Sequence, residues 1–413
     1  MKFRMRKIGL ISLLIFISIT TSFGQTIGFS LMDGKTKSKI EFEYYNNLII
    51  IPVTINGGIQ IKFILDTGVQ YPILTEKYLG DVLEFEYDRR VVVHAPGVND
   101  SLSALVTNNI HLSLADGTHS GMNQSLVVLE KDYLMLREHL GIEVYGIIGY
   151  DIFSRFIVKI NYEEKYIELY EPKKFRQKRN YKKLPMTISN TKPYIDVTVN
   201  KGKQDEKIMK LMVDTGAGHS LLLNNPEFNS ILPEKNIPSV IGRGIGGEIY
   251  GHLGRLSTIS VNQFDLEQPI VSFPLKGDYG SLAKRGSHNG TVGGEFLSRF
   301  NVVFDYFSGN LYLKKNKYYT RDFEYDMSGM TIVAHGGDFD RFKVTSVRYE
   351  SPAYDAGIRS GDIIMTINGY DYETLKLSGA NALLRNKPGK KITVKIKDGD
   401  SSIKKSFKLE RYI

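Results

Sequence analysis

The sequence predicts a mainly β protein built from two similar lobes and a third, smaller domain. Three observations lead to this prediction: strand-like runs dominate the first three quarters of the chain, a long pattern occurs twice, and the composition changes near residue 319. The 413 residues suffice for two or three ordinary domains. Because 42% of the residues are hydrophobic and 24% are charged, a disordered chain, a collagen-like fibre and a protein with many membrane spans are excluded.

The N-terminus has the organisation of a secretory signal peptide. Residues 1–7 are basic, residues 8–19 are almost wholly apolar, and mostly small residues follow as far as Gly24. The apolar run is shorter than the roughly 20 residues that cross a bilayer comfortably, which favours cleavage over an uncleaved membrane anchor. We therefore assign residues 1–24 to a signal peptide, with Gln25 as the first mature residue, and expect a periplasmic or secreted protein.

The chain contains no cysteine. Thiol catalysis, thiolate metal sites, disulfides and lipid attachment through a cysteine are therefore excluded. The formal net charge is +9, of which the basic N-terminal segment supplies four charges. The remaining charge of about +5 is too small to indicate nucleic-acid binding by itself. The eight histidines have no metal-ligand spacing, so we expect neither a metal nor another cofactor.

An internal repeat is the most informative feature of the sequence. Residues 146–156 reappear as residues 290–300, displaced by 144 positions, and residues 63–68 reappear as residues 211–216, displaced by 148 positions. Because the two displacements are nearly equal, the two copies preserve the order and the spacing of these motifs as well as the motifs themselves. The repeat therefore predicts two lobes of similar fold.

Each copy consists mainly of short runs of β-branched and aromatic residues, separated by Gly, Asn and Asp, as is typical of strands. The only helices that we expect in this part are brief, at residues 151–156 and 295–300. We place the first lobe at residues 25–172 and the second at residues 184–318. The basic residues 173–183 between them are interpreted as a solvated linker.

Each copy contains the tripeptide Asp-Thr-Gly at the end of an apolar run, at residues 66–68 and 214–216. If the lobes face each other across an approximate two-fold axis, Asp66 and Asp214 lie side by side. Two carboxylates this close share one proton at moderate pH, because both cannot ionise together. Such a pair offers a general base and a general acid, which activate a water molecule for attack on a peptide carbonyl.

The neighbouring residues of the two tripeptides have supporting roles in this scheme. Thr67 and Thr215 are expected to hydrogen bond across the axis to the backbone of the opposite loop. Gly68 and Gly216 lack a Cβ, so the two backbones approach each other and leave room for the carboxylates.

These motifs resemble the aspartic peptidases, and residues 213–217 resemble the retropepsin version of the motif. The resemblance covers about residues 40–318. It implies two similar retropepsin-like β-barrel lobes that form an intramolecular pseudo-dimer, so a monomer suffices, and it implies that Asp66 and Asp214 are the catalytic pair. Two features depart from the family pattern. Val69 stands where pepsin-like enzymes usually have Ser or Thr, and the expected first-lobe flap lacks a recognisable tyrosine.

The resemblance also implies mobile hairpins, or flaps, over the cleft. In the second lobe the flap candidate is the glycine-rich stretch of residues 241–247, with Gly244, Ile245, Gly246 and Gly247 at its tip. In the first lobe the corresponding segment is expected near residues 94–98.

The last part of the chain, residues 319–413, resembles a PDZ domain (α+β) of bacterial exported proteases. The motifs that carry this resemblance lie at residues 342–347, 351–358, 361–364 and 367–369. A PDZ domain adds a peptide as a strand to a sheet edge and binds its terminal carboxylate with loop amides. The resemblance assigns this role to Gly329, Met330, Thr331 and Ile332. The alternative is a domain that only packs against the lobes or gates the cleft.

The sequence therefore predicts an exported, metal-independent aspartic endopeptidase whose PDZ domain recognises or positions a polypeptide. A catalytically inactive peptide-binding scaffold stays open as an alternative, because Val69 departs from the motif. A carboxylate-pair hydrolase of glycans is a further alternative, which the twin Asp-Thr-Gly loops disfavour. The expected partners are a polypeptide substrate and a C-terminal peptide at the PDZ domain, without nucleic acid and without a membrane span after signal removal.

Overall fold

The computed structural model describes residues 28–32, 34–93, 102–114, 117–120, 124–200, 202, 206–224, 231–244, 246–275 and 289–413. Strands make up 50% of the structure and helices 11%, which confirms the mainly β prediction. The predicted signal peptide and the expected first-lobe flap near residues 94–98 lie outside the described residues. Within the described residues, no helix combines the length and the apolar character needed to cross a bilayer.

The strands of the first half of the chain, in order, are β1 (Phe29–Leu31), β2 (Lys37–Glu41), β3 (Glu43–Tyr45), β4 (Leu48–Ile55), β5 (Ile59–Leu65), β6 (Ile73–Leu74), β7 (Arg89–Val93), β8 (Leu102–Ile110), β9 (Leu112–Leu114), β10 (Thr118–Ser120), β11 (Gln124–Leu129), β12 (Gly146–Ile148), β13 (Ile157–Asn161) and β14 (Tyr166–Tyr170). The next strands are β15 (Lys182–Pro185), β16 (Thr187–Ser189), β17 (Lys192–Asn200), β18 (Glu206–Val213), β19 (Leu221–Leu223), β20 (Asn236–Gly244), β21 (Gly247–Arg255), β22 (Thr258–Val261), β23 (Phe264–Glu267), β24 (Ile270–Pro274), β25 (Gly290–Val292), β26 (Phe300–Asp305) and β27 (Asn310–Lys315). The last five are β28 (Met330–His335), β29 (Arg341–Val347), β30 (Ile363–Ile367), β31 (Lys391–Asp398) and β32 (Ser401–Lys408).

The helices are short apart from one near the C-terminus. They are α1 (Lys77–Val82), α2 (Leu136–Leu140), α3 (Tyr150–Phe153), α4 (Gly294–Leu297), α5 (Pro352–Asp355) and α6 (Tyr372–Leu384), with a 3₁₀ helix at Pro172–Lys174. The two brief helices expected from the repeat correspond to α3 and α4. Each begins one residue earlier and ends three residues earlier than expected.

Two large sheets have the same local arrangement around a central strand. The first has the order β1-β10-β9-β4-β5-β12-β6-β11-β8-β7, with β3 paired to β4. The second has the order β20-β21-β24-β19-β25-β18-β17-β22-β23, with β16 paired to β17. In the first sheet β12 is parallel to β5 and antiparallel to β6. In the second, β25 is parallel to β18 and antiparallel to β19 in the same way.

Neither sheet closes into a barrel. Closure requires the first strand of the path to pair with the last, and the strand order of each sheet is instead an open path among the described residues. The prediction of closed retropepsin-like barrels is therefore not confirmed. The repeated motifs specify which strands lie beside the loops, but closure of a sheet into a barrel depends on the register between distant strands.

A third sheet joins the two halves of the chain. Its order is β15-β27-β26-β13-β14-β2, and its centre is the antiparallel pair of β13 and β26. Val158 and Phe304 at this centre are both 0% exposed. The last residues of the expected linker belong to this sheet, because β15 pairs with β27. The other domain boundaries stay predictions.

The C-terminal part forms a five-stranded sheet with the order β28-β29-β30-β31-β32. β28 lies at one edge of this sheet, and α6 packs against β28, β29 and β30. One continuous cluster of buried side chains runs through all of these sheets and includes Phe63, Phe304 and Phe342. The C-terminal sheet is therefore packed onto the rest of the molecule.

Candidate active site

Two equivalent loops leave the central strands of the two large sheets. Asp66 directly follows β5, and Asp214 directly follows β18. The N–H of Asp66 donates to the carbonyl of Ile148, and the N–H of Asp214 donates to the carbonyl of Val292, both at 2.8 Å. These carbonyls belong to the inserted strands β12 and β25, which therefore fix the start of each loop.

Reciprocal hydrogen bonds of two threonines hold the loops together. Thr67 Oγ1 donates to the carbonyl of Val213 at 2.6 Å, and Thr215 Oγ1 donates to the carbonyl of Leu65 at 2.8 Å. The N–H of each threonine donates to the hydroxyl oxygen of the other at 3.1 Å. Both threonines are 1% exposed. The geometry of one loop is therefore tied to that of the other.

The carboxyl groups of Asp66 and Asp214 lie next to each other at the centre of this arrangement. The N–H of Gly68 donates to Asp66 Oδ1 at 2.6 Å, and the N–H of Gly216 donates to Asp214 Oδ1 at 2.9 Å. A Cβ on Gly216 would overlap the Asp66 carboxyl group, and a Cβ on Gly68 would lie 2.9 Å from Asp66 Oδ1. Glycine at both positions is therefore required for the contact between the carboxyl groups.

The pair has an unusual affinity for protons. Burial raises the pKa of Asp66 and of Asp214, and the nearby charge of Asp66 raises the pKa of Asp214 further. The glycine amides and the charge of Lys192 act in the opposite direction. The two carboxyls titrate as a unit that retains one proton where an isolated aspartate has lost its own. Such a unit accepts a proton at one oxygen and donates one at another.

His219 lies beneath the second loop and hydrogen bonds through Nε2 to Thr291 Oγ1 at 2.6 Å. Burial lowers the pKa of His219 to about 4, so its ring is neutral near neutral pH. Within the described ranges, no group of three or more His, Asp or Glu side chains is placed to hold a metal ion.

Sequence reasoning missed the turn that supports the second loop from the first half of the chain. Asn46 and Asn47 join β3 to β4 with left-handed φ values of 47° and 67°. Asn47 Nδ2 donates to the carbonyl of Gly218 at 2.8 Å, and a Cβ on Gly218 would lie 2.5 Å from the Asn46 carbonyl oxygen. Adjacent asparagines between two strand-like runs are a hairpin signal, but the partner of the turn follows only from the fold.

The glycine-rich stretch expected to form a flap is a hairpin of β20 and β21, with Gly244 opposite Gly247. Gly246 lies in its turn and is buried, whereas Ile245 lies outside the described residues. Near the tip, Arg243 Nη1 donates to the carbonyl of Tyr133 in the first half of the chain at 3.4 Å. The tip region of the hairpin therefore contacts the opposite half of the molecule.

The four residues expected to bind peptide, Gly329, Met330, Thr331 and Ile332, lie immediately before and within the first residues of the edge strand β28. The loop amides already have partners within the loop. The N–H of Gly329 donates to Asp326 Oδ1 at 2.9 Å, and the N–H of Met330 donates to Ser328 Oγ at 3.1 Å. Thr331 is exposed, whereas Met330 and Ile332 are buried.

Comparison with known proteins identifies the C-terminal sheet. A family profile described as PDZ domain matches residues 343–398. Residues 343–398 form a PDZ domain. This finding confirms the PDZ prediction for that segment, which contains α6 and begins after β28.

A relative of known activity matches part of the chain. A 99-residue stretch is 29% identical to carboxyl-terminal-processing peptidase 1, chloroplastic, of Arabidopsis thaliana, and it covers 23% of this chain and 20% of that protein. The chain thus spans about a fifth of the length of the curated relative that it matches.

The comparison corrects the functional prediction. The matching relative is a serine-type peptidase, and this finding contradicts the expectation of an exported aspartic endopeptidase that acts through an Asp–Asp dyad. The motifs that led to the expectation lie in the two lobes, and neither match reported above is to an aspartic peptidase. The comparisons show a PDZ domain at residues 343–398 and a partial likeness to a peptidase.

Proposed function

We propose that this protein is a peptidase that acts on polypeptides and uses its PDZ domain to bind them. The peptidase relative and the PDZ domain support this proposal. PDZ domains bind an extended peptide by adding it to a sheet edge, so the ligand class is a polypeptide rather than a sugar or a nucleotide.

We further propose that Asp66 and Asp214 belong to the functional site of this protein, as a pair of acids that shares a proton. The observation that carries this assignment is the close approach of their carboxyl groups in a centre where both side chains are partly exposed. Thr67, Thr215 and the two glycines hold the pair in place through the bonds described above.

Three parts of the proposal concern the whole chain. The lobes are two similar halves of the retropepsin type, which the equivalent environments of β12 and β25 support. A single chain supplies both loops, so the active form is a monomer. The protein is exported through the predicted signal peptide.

The test is cleavage of unfolded β-casein between about pH 3 and 7 by the full chain, expressed with its own residues 1–24 in a Gram-negative host. Wild type is compared with the Asp66→Asn and Asp214→Asn variants and with Asp196→Asn, a matched change at an exposed aspartate. A sulfonyl fluoride that inactivates reactive serines is added in a parallel arm. We expect activity in the periplasmic or extracellular fraction and a loss of about 100-fold or more in both pair variants, and the reagent reports whether a serine is the reactive group.

Each other outcome overturns a defined part of the proposal. If the pair variants cleave like wild type and the reagent abolishes cleavage, the reactive group is a serine and the assignment of Asp66 and Asp214 is wrong. If wild type does not cleave at any pH, the protein is not a peptidase. Activity confined to the cytosolic fraction contradicts export.

A further inference from the structure

The groove of the PDZ domain is occupied by a segment of the first half of the chain. A peptide is added to a PDZ domain between the edge strand and the neighbouring helix, here β28 and α6. Gly141, which follows α2, lies at this place. Tyr372 Oη of α6 donates to the Gly141 carbonyl at 3.2 Å. A Cβ on Gly141 would lie 2.9 Å from Leu377 Cβ of α6 and 3.6 Å from Ala334 Cβ of β28.

The contact covers the apolar walls of the groove. Ala334 and Ala380 are 0% exposed, and Leu377 is 1% exposed. Gly141 has a left-handed φ of 68°, and a Cβ at this position would come too close to Tyr372 and Leu377 of α6. The fit between this residue and the groove therefore depends on glycine.

The segment that enters the groove also contacts the glycine-rich hairpin of β20 and β21 and the loop that contains Asp66. Before α2, the carbonyl of Tyr133 accepts the hydrogen bond from Arg243 of the glycine-rich hairpin. After α2, the chain enters β12, whose Ile148 carbonyl accepts from the N–H of Asp66. Residues 133–148 thus connect the groove, the hairpin and the first loop along one short stretch of backbone.

A second set of contacts connects the PDZ domain with the other loop. Asn381 Nδ2 of α6 donates to Asn46 Oδ1 at 3.4 Å, and Asn46 Nδ2 donates to the carbonyl of His139 in α2 at 3.2 Å. The neighbouring Asn47 donates to the carbonyl of Gly218, in the loop that follows Asp214. A displacement of α2 therefore alters contacts of both loops.

We propose that residues 136–141 are a built-in occupant of the PDZ groove, and that an extended polypeptide entering the groove displaces them and so shifts the hairpin and both loops. This is a regulatory contact of the site proposed above and rests on that function. The structure shows the state in which residues 136–141 occupy the groove. The partner is a polypeptide segment, because only an extended backbone pairs with the edge of β28.

The first test compares Tyr372→Phe with Tyr370→Phe in the full chain by amide hydrogen exchange. Tyr372→Phe removes the hydrogen bond to Gly141, whereas Tyr370 is 54% exposed and provides the same substitution outside the contact. We expect exchange over residues 136–148 to rise about two- to tenfold in Tyr372→Phe only, as for the loss of one hydrogen bond. Equal exchange in both variants overturns the proposed occupancy.

The second test adds β-casein to the Asp214→Asn variant, with binding followed by fluorescence anisotropy. We expect bound casein to protect β28 and to accelerate exchange over residues 136–148 and over the hairpin of β20 and β21. Casein that binds without accelerating exchange, or that does not bind, overturns the proposal. Hydrogen exchange is measured without turnover, so it tests the groove proposal even if the protein is not a peptidase. The cleavage assay tests the peptidase proposal separately, and in that assay we expect Tyr372→Phe to cleave faster than Tyr370→Phe.

Discussion

The hydroxyl groups of Thr67 and Thr215 each make two hydrogen bonds with the opposite loop, and both threonines are buried. A buried hydroxyl contributes little net stability when it merely replaces water, but its removal leaves its partners without a bond. The role of these threonines is therefore visible mainly when the hydroxyl is lost and the shape of the side chain is kept.

We predict that Thr67→Val lowers the free energy of unfolding by about 1–3 kcal/mol, because the carbonyl of Val213 and the N–H of Thr215 lose their partner. Urea denaturation measures this change. Thr187→Val, the same substitution at an exposed position, is expected to change stability by less than about 0.5 kcal/mol. Equal effects of the two substitutions would show that the hydroxyl of Thr67 is not needed.

At the residue scale, the two Asp-Thr-Gly motifs were sufficient to predict that Asp66 and Asp214 lie side by side, because a duplicated fold can place equivalent residues near a common axis. The same reasoning could not find Asn46 or Gly141. Their importance lies in contacts with partners far away in the sequence, which no local pattern reveals.

At the element scale, the sheet that joins the two halves is the part of the fold that sequence patterns did not reveal. β13 and β26 were both expected as strands, since each is a run of β-branched and aromatic residues. Their mutual pairing was not expected, because strand patterns specify which face of a strand is buried but not which strand lies beside it. The same limitation explains why the prediction of closed barrels is not confirmed.

Phe304 provides a test of this joining sheet. It is 0% exposed in β26, and its ring packs edge-on against the ring of Phe153, with 5.1 Å between the two ring centres. We predict that Phe304→Ala lowers the free energy of unfolding by about 3–5 kcal/mol, through lost burial and the resulting cavity. Calorimetry is also expected to show a common loss of stability in both halves.

Phe307→Ala is the matched control, because Phe307 is 54% exposed and lies three residues further along the chain. We expect it to change stability by less than about 1 kcal/mol. If Phe304→Ala destabilises the protein no more than this control, the joining sheet does not hold the halves together.

At the scale of the whole molecule, one arginine directly before β26 of the joining sheet contacts the segment that leads to the PDZ domain. Arg299 is 3% exposed, and its Nη1 donates to the carbonyls of Tyr318 and Tyr319 at 3.4 Å and to that of Arg321. Its guanidinium group also lies 3.4 Å from the centre of the Phe323 ring. The planar guanidinium group thus donates to several backbone carbonyls at once.

We predict that Arg299→Lys loosens this connection, because a lysine ammonium is a compact charge and does not reproduce the planar fork. Amide exchange over residues 316–325 is expected to rise about tenfold, as for the loss of one or two hydrogen bonds. Arg155→Lys is the control at the equivalent position of the repeat. A similar rise in both variants, or none in Arg299→Lys, would contradict the role of Arg299.

The joining sheet has a consequence for how the protein is made. β2, β13 and β14 come from the first half of the chain, and β15, β26 and β27 come from the second. On the ribosome, the outer edge of β13 emerges well before its partner β26, and an apolar strand with a free edge invites pairing with other chains. This edge of β13 therefore depends on shielding, by a chaperone or by delayed collapse, until residues 300–305 are available to pair with it.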